Sequence, residues 1–466
     1  MTLALKIAEL AGRMGAGDLS PNARYWGKTA ILDTIGVALA GSREKAPSLL
    51  LELPGVAAAP GAAVVIGRAR RTSSLEAALV NGTAAHALDY DDVSGVMGGH
   101  PSAPLLAALL GLAEESGASG ADLLLAYIVG FEVETRIARA VHWHHYDKGW
   151  HPTATLGVFG AAAASARLLR LGCEETARAL ALAASLSSGL KANFGTMTKP
   201  LHVGQSARNG LFAALLAQKG FTANPACFEH KQGFLAVFNG PGNFDAERIF
   251  AGWGKRLAIE ESGLGLKLYP CCGSTHSSIE AMLALRREEP FAPESVTRIT
   301  ILPHRRRLPH TDNPAPKSGL EGKFSIQYCV ARALCDGAPR LEHFEDGAMG
   351  EERIGRLLAL TVARPHPDMA ADGAEQWGAE VVVTLADGRV LRKRLERYRP
   401  PGPEGTSITR DDLWAKFSDC AARALPKARI APLFERLETL EQEKSLQPLT
   451  ALLESKEGVP AAHAAE

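Results

Sequence analysis

SPNARYWGKTAILDTIGVALAG, residues Ser20–Gly41, decides the fold class. Ser20-Pro21 is a helix start: Ser serves as a cap and Pro fits the first helical position. An apolar-periodic run continues through Leu39, and Gly41 ends it. The same grammar recurs outward. Thr72-Ser73-Ser74 precedes Leu75 to Leu79, and Ser119-Gly120 precedes Ala121 to Ile137. Met1 to Met14 carries Lys6 and Glu9 within its apolar pattern, which predicts an amphipathic helix and not a signal peptide. Residues 1 to about 266 are rich in Ala and Leu at helical spacing, with β-branched alternation nearly absent. Ala63-Val64-Val65-Ile66, as a short hairpin, is the exception.

The composition shifts near residue 290. Ser295 to Leu302 alternates as a strand should, and Leu360-Thr361-Val362 suggests a second. Glu380 to Leu385 and Arg389 to Leu395 flank Asp387-Gly388, a hairpin turn signal. Ser325 to Cys335 and Glu351 to Leu358 read as helices between them. Arg399 to Gly405 is a Pro/Gly linker, after which Asp411 to Leu425 and Ala431 to Leu452 are helical again. The expected architecture is mostly α. A large all-helical domain (1–266, with C-terminal helices 407–456 returning to it) carries an inserted smaller α+β lid domain (267–400). The tail from Glu457 to Glu466 is expected to fray. No repeat of solenoid period is present.

Composition excludes several classes of function. The 466 residues hold 51 Lys+Arg against 51 Asp+Glu, for zero formal net charge. That balance argues against nucleic acid as a partner. No run of about 18 uninterrupted apolar residues predicts a membrane span. Seven cysteines with no CxxC pair point to a reducing, cytoplasmic setting and away from disulfides, structural zinc or an iron–sulfur cluster.

Two tetrapeptides repeat one pattern: His100-Pro101-Ser102-Ala103 and His151-Pro152-Thr153-Ala154, each before an Ala-rich apolar run. Both histidines are expected just before a helix N-terminus, where free N–H groups favour an anion. Lys199-Pro200-Leu201-His202 opens a third loop of this kind, ahead of Ala207 to Gln218. Lys267-Leu268-Tyr269-Pro270-Cys271-Cys272 opens a fourth, followed by Ser274-Thr275-His276 and a Ser277-x-x-Glu280 capping box. Convergence of the four would form a pocket for a substrate with several carboxylates. Against this stands the plainer reading of each His-Pro as an ordinary turn.

Asn81 to Asp92 (NGTAAHALDYDD) ends an apolar helix in an acidic cluster. It is either a solvated helix end or a source of one pocket carboxylate, Asp89, paired with His or Lys. His142-Trp143-His144-His145 invites metal ligation, but its spacing fits no ligand motif. Cys271-Cys272 packs or lines the pocket. Gly95 and Gly98-Gly99 are expected to give the loop before His100 mobility. No GxGxxG or P-loop supports a nucleotide cofactor.

Taken together, NGTAAHALDYDD, GHPSAP, GWHPTATLGVFGAA, FGTMTKPLHVGQSARNG, KLYPCCGSTH and KFSIQY resemble the MmgE/PrpD family, in order and over nearly the whole chain. That family holds 2-methylcitrate dehydratase, cis-aconitate decarboxylase and iminodisuccinate epimerase. The resemblance implies a homodimer that uses no metal or organic cofactor, with its active site between the two domains. It carries over Asp89, His100, His151, Lys199 and Lys267 as pocket residues, and Tyr328 of FSIQY as a lid tyrosine. Three departures stand out. Val93 follows DYDD where the decarboxylase type has Thr, Cys272 stands where that type has His, and HPSAP replaces the HPSDN of the long dehydratase type.

The expected function is a cofactor-free lyase, a dehydratase or decarboxylase, acting on a small di- or tricarboxylic acid. Lys199, Lys267 and His100 would hold carboxylates and stabilise developing negative charge. His151 is the candidate acid/base, and Asp89 would tune a histidine. Tyr328 would close the site, and Cys272 would line it. An epimerase using the same pocket is the alternative, and a non-catalytic carboxylate-binding protein is the second.

Overall fold

The C-terminal stretch of the Pro21–Gly41 helix, Thr29 to Gly41, is buried at every residue, so it is a central helix surrounded on all sides, as an all-round apolar pattern demands. A computed structural model describes residues 1–261, 263–370 and 377–455. It is mostly helical, with a small mixed sheet. Contacts divide the chain into two units: Met1–Leu266 with Pro401 onward, and Lys267–Pro400.

In the larger unit the expected starts are seen as built caps. The Ser20 side chain accepts from the Ala23 N–H and that of Ser73 from the Glu76 N–H. Ser119 and Asp122 form a reciprocal capping box at the Gly120–Asp147 helix, each such cap being worth about 0.5–2 kcal/mol. That helix runs ten residues beyond Ile137 and is interrupted at His142, whose φ/ψ of 36°/−142° is not helical. Ser74–Ala87 and Ser102–Ser116 pack on the central helix, and Gly157–Leu168 and Thr198–Gln218 pack in turn on those helices. A two-residue hairpin, β1 (Ala63–Val64) and β2 (Arg71–Thr72), is the short β element expected near Ile66.

After the linker, Arg410–Ala422 packs on Pro21–Gly41 and Lys427–Glu438 follows it. The second C-terminal helix is shorter than the Ala431–Leu452 pattern implies. It stops at Thr439, and among the described residues only 3-10 turns and the four-residue Gln447–Thr450 helix follow. The expected frayed tail lies outside the described residues.

The smaller unit holds a four-stranded sheet in the order β4-β3-β5-β6: β3 (Val296–Pro303), β4 (Thr361–Ala363), β5 (Ala379–Leu385) and β6 (Val390–Leu395). The β3–β4 pair is parallel, with Ile299 opposite Thr361, and the other pairs are antiparallel. In β5 alternate residues Ala379, Val381, Val383 and Leu385 are buried, the period-2 signature of a sheet with one packed face. Ile279, Met282 and Leu285 of the Gly273–Glu288 helix and Ile326, Val330 and Leu334 of the Ile326–Asp336 helix share that core.

One expected cap is not built. Ser277 is a buried interior residue of Gly273–Glu288, whose N-cap is Cys272. Glu280 is used elsewhere, accepting from the Tyr269 hydroxyl at 2.6 Å. The helix starts one turn before the capping-box pattern because Gly273 to His276 extend it backwards.

Candidate functional site in the helical unit

Three of the four expected segments meet in the larger unit, and glycines set the approach. The Ser74–Ala87 and Thr198–Gln218 helices cross where Gly82 faces Gly204. A Cβ on Gly204 would lie 2.1 Å from the Leu79 carbonyl oxygen, and one on Gly82 would lie 2.8 Å from the Gly204 Cα. The crossing brings the first turn of the later helix beside the end of the earlier one. Lys199, expected in a loop, is therefore the second residue of a helix. Its ammonium donates to the carboxylate of Asp89, two residues beyond Ala87. Gly99 does the same for the two His-Pro loops. A Cβ there would lie 2.8 Å from the Thr153 nitrogen, and the His100 N–H donates to the Thr153 hydroxyl at 3.0 Å. Gly99 thus serves close packing, which corrects the expectation of a mobile loop.

Asp89 has φ +52°, a left-handed conformation that Asp tolerates better than most side chains. It reverses the chain so that Asp89, Asp91 and Asp92 are all buried, which rules out the solvated helix end. Lys416, on the returning Arg410–Ala422 helix, anchors the turn. Its ammonium donates to the Tyr90 carbonyl at 2.9 Å and pairs with Asp33 at 2.7 Å.

The Asp91 carboxylate lies between two imidazoles. His86 Nδ1 is 2.8 Å from Oδ2, and His100 Nδ1 is 3.3 Å from Oδ1. His100 Nε2 lies 3.7 Å from Asp89. The His86 ring centroid is 4.5 Å from that of His100 and 5.6 Å from that of His151. His151 Nδ1 faces His202 Nδ1 at 3.2 Å, and Phe194 meets the His151 ring edge-on at 4.9 Å. Among the described residues three buried imidazole nitrogens, His86 Nε2, His100 Nδ1 and His151 Nε2, have no hydrogen-bond partner.

Burial dominates the titration of these groups. It lowers His86 to about 3, with Asp91 opposing and Lys199 and His100 assisting. Burial, then the neighbours His86, Lys199, His202 and His100, holds His151 well below its ordinary value. Both rings are neutral at pH 7. Burial alone would raise Asp91, but His100 and His86 overcome it and hold the carboxyl well below the usual range. Asp92 turns away to accept from the Ser102 N–H at 3.2 Å and from its hydroxyl, and burial pushes it up to about 8.

Among the described residues, His86, Asp89, Asp91 and His100 are the group with donor atoms close enough to hold a metal ion. Those donors already serve each other and Lys199. An entering cation would have to displace an ammonium from Asp89 and the His86 N–H from Asp91, so the set fits internal ion pairing better than metal ligation. The histidines of the HWHH segment are also engaged. His144 Nε2 is 2.9 Å from the Asn239 carbonyl, and His145 contacts Asn239 Oδ1 at 2.9 Å and Thr155 Oγ1 at 2.7 Å.

The remaining expected residues belong to the smaller unit. Lys267 is buried, its stem beside the start of the Gly273–Glu288 helix. Cys272 caps that helix and donates its N–H to the Lys323 carbonyl at 2.9 Å. Tyr328 is fully buried. Its hydroxyl donates to the His343 carbonyl and accepts from Arg332 at 2.9 Å, so that hydroxyl is engaged within its own unit. Sequence reasoning passed over His86 and Phe194, left Asp91 in the acidic cluster without a role of its own, and named His202 only in passing. For His86 a signal existed: it sits three residues before Asp89 at the end of an apolar helix, in the same stretch.

A family model for the MmgE/PrpD N-terminal domain matches residues 5–247, more than half the chain, and one for the MmgE/PrpD C-terminal domain matches residues 269–439. The chain belongs to the MmgE/PrpD family. Curated relatives agree in extent. It is 28% identical to cis-aconitate decarboxylase of Mus musculus over 441 residues, covering 91% of this chain and 88% of that protein. Identity to cis-aconitate decarboxylase of Homo sapiens is 28% over 450 residues, 94% and 91% of the two chains. A cis-aconitate decarboxylase-like protein of Aspergillus oryzae is 29% identical over 451 residues, 91% and 92%. The boundary between the two MmgE/PrpD models falls between residues 247 and 269, and the first structural unit ends its N-terminal portion at Leu266.

Proposed function

We propose that this chain is a lyase of the MmgE/PrpD type that removes water or CO2 from a small di- or tricarboxylic acid by proton transfer next to a carboxylate, using its own side chains. Family membership and the decarboxylase relatives support a dehydratase- or decarboxylase-type lyase acting on a carboxylic acid. The observation that carries the finer reading is His151 Nε2, a buried nitrogen with no protein partner, on a ring held neutral near the Lys199–Asp89 pair. A neutral imidazole can take a proton there, and the anionic substrate would raise its affinity for that proton.

In a dehydration, His151 removes the C–H proton, the electron pair forms the double bond, and hydroxide leaves and is protonated to water. In a decarboxylation, the C–CO2 bond breaks, CO2 departs, and the carbon that kept the electron pair takes a proton from His151, which has picked one up from solvent once the bound anion has raised its proton affinity. Lys199 and His100 would hold carboxylate oxygens and offset the charge of the carbanion-like transition state. Asp89 would orient Lys199 and His100. Lys267, Cys272 and Tyr328 remain proposed substrate-side residues of the smaller unit, which would act as a lid. For Tyr328, the engaged hydroxyl favours a role in shaping that unit. The chemistry asks for no metal or organic cofactor, and homodimeric assembly and cytoplasmic residence belong to the same proposal. No helix among the described residues is long and apolar enough to cross a membrane.

Incubation with citrate-, aconitate- and succinate-like acids in D2O, followed by NMR, tests this. Loss of water or CO2 from one acid supports the lyase. An epimerase is the second reading, favoured by a second bare imidazole nitrogen, His86 Nε2, beside the first. Deuterium incorporation without loss of water or CO2 would establish it instead.

A further inference from the structure

We infer that Asp91 is a positioning residue that fixes the tautomer of the His86 imidazole, and that His86 is thereby the second proton-transfer group of the site. The inference rests on the proton-transfer reading above and extends it to two residues that reading leaves without a role.

A carboxylate can only accept. The His86 nitrogen 2.8 Å from Asp91 Oδ2 must therefore carry its proton on Nδ1, and in the neutral ring the lone pair sits on Nε2. The ring is buried, yet Nε2 has no donor to satisfy it. Leaving a buried acceptor without a donor is costly, and an apolar side chain would avoid that cost. The arrangement suits a donor that arrives with the substrate. The other oxygen of Asp91 lies 3.3 Å from His100 Nδ1, a close approach without a hydrogen bond. The buried carboxylate therefore aims the His86 ring nitrogen, as the acid does in an Asp–His pair.

Every element packed on the His86 ring supplies a charged or titratable neighbour. These are Asp91 and His100 from the loop after its helix, His151 from the second His-Pro loop, and Lys199 from the Thr198–Gln218 helix. The first is negative and Lys199 is positive, so the ring stays neutral and able to accept a proton until an anion enters.

Long-range 15N–1H NMR of histidine-labelled protein reads the tautomers without reference to activity. In the wild type His86 is expected in the Nδ1–H form, and Asp91→Asn should shift that ring. In parallel, His86→Gln and Asp91→Asn, each checked for a native melting curve, should lose about 10²–10⁴-fold in kcat with KM changed by less than about threefold. Added imidazole should recover part of the His86→Gln loss. A purely structural role would give neither the recovery nor the split between kcat and KM. An Nε2–H tautomer at His86 in the wild type overturns the inference. So do folded variants that keep kcat while the wild type turns over its acid. A wild type that acts on no acid overturns the reading of function instead, and the tautomers then still decide the positioning by Asp91.

Discussion

The Lys199 ammonium donates to the Asp89 carboxylate, and both groups are buried, at 7% and 4% side-chain exposure. The pair ties the first turn of one helix to the residue that reverses the chain after another. Removing one partner leaves a buried charge uncompensated, at a cost of about 3–5 kcal/mol. Lys199→Met and Asp89→Asn should each destabilise by that order in urea unfolding. The double variant should cost less than the sum of the two. Additive effects would show that the pair does not hold the site together.

Gly204 makes the crossing possible. A methyl there would sit 2.1 Å from the Leu79 carbonyl, which is backbone and cannot swing aside. Gly204→Ala should therefore cost at least about 1–3 kcal/mol as overpacking and displace Lys199 from Asp89, lowering turnover. Gly12, at the exposed end of the Leu3–Arg13 helix, has nothing within 4 Å of the place a methyl would take. Gly12→Ala should gain about 0.5–1 kcal/mol with turnover unchanged. Thermal melts and rates of the two variants, compared side by side, check the contrast.

The glycines also mark where the sequence was legible and where it was not. The helix starts at Ser20, Ser73 and Ser119 could be read because a cap is a local device, complete within four residues. The Asp387-Gly388 hairpin was legible for the same reason. His100, His151 and Lys199 could be named from recurring His-Pro and Lys-Pro entries and Asp89 from the acidic stretch NGTAAHALDYDD, and the fold brings these four together. Gly99 read as loop freedom because its partner, Thr153, lies far along the sequence, and the stretch holding Asp91 stayed open between a solvated helix end and a pocket carboxylate because burial is a tertiary property. The helix end at Thr439 was hidden too, since the apolar spacing of Leu440, Leu446 and Leu449 continues past it and serves turns instead.

Asp92 gives the site a signature in stability. Its folded carboxyl titrates at about 8, raised chiefly by burial, against an unfolded value of about 3.9. Between these values the folded state keeps a proton that the unfolded state has lost. Its contribution to stability is therefore present below about pH 4 and falls as pH rises through about 8, with a slope near 1.4 kcal/mol per pH unit. His86 and His151, whose folded values are depressed, act oppositely. Their contribution is present above the unfolded value of about 6.5 and is lost as pH falls. Comparison of Asp92→Asn with the wild type isolates the first term. The variant should gain stability relative to the wild type from pH 4 to 8 and then level off, as read by urea unfolding at each pH. A difference independent of pH would show that Asp92 is ionised in the fold.

The internal pairing of His86, Asp89, Asp91 and His100 with one another and with Lys199 predicts that chelators leave turnover unchanged. Added Zn2+, which imidazoles and carboxylates can bind, should inhibit by competing with the Lys199 ammonium for Asp89. Activity that disappears on dialysis against a chelator and returns with a metal would reverse this assignment.

The most direct measurement is the steady-state rate of His151→Asn beside the wild type, on the acid that the wild type turns over. If His151 Nε2 exchanges the proton, a variant with a native melting curve should lose about 10²–10⁴-fold in rate. A folded His151→Asn enzyme that releases CO2 or water at the wild-type rate would contradict proton transfer by this imidazole.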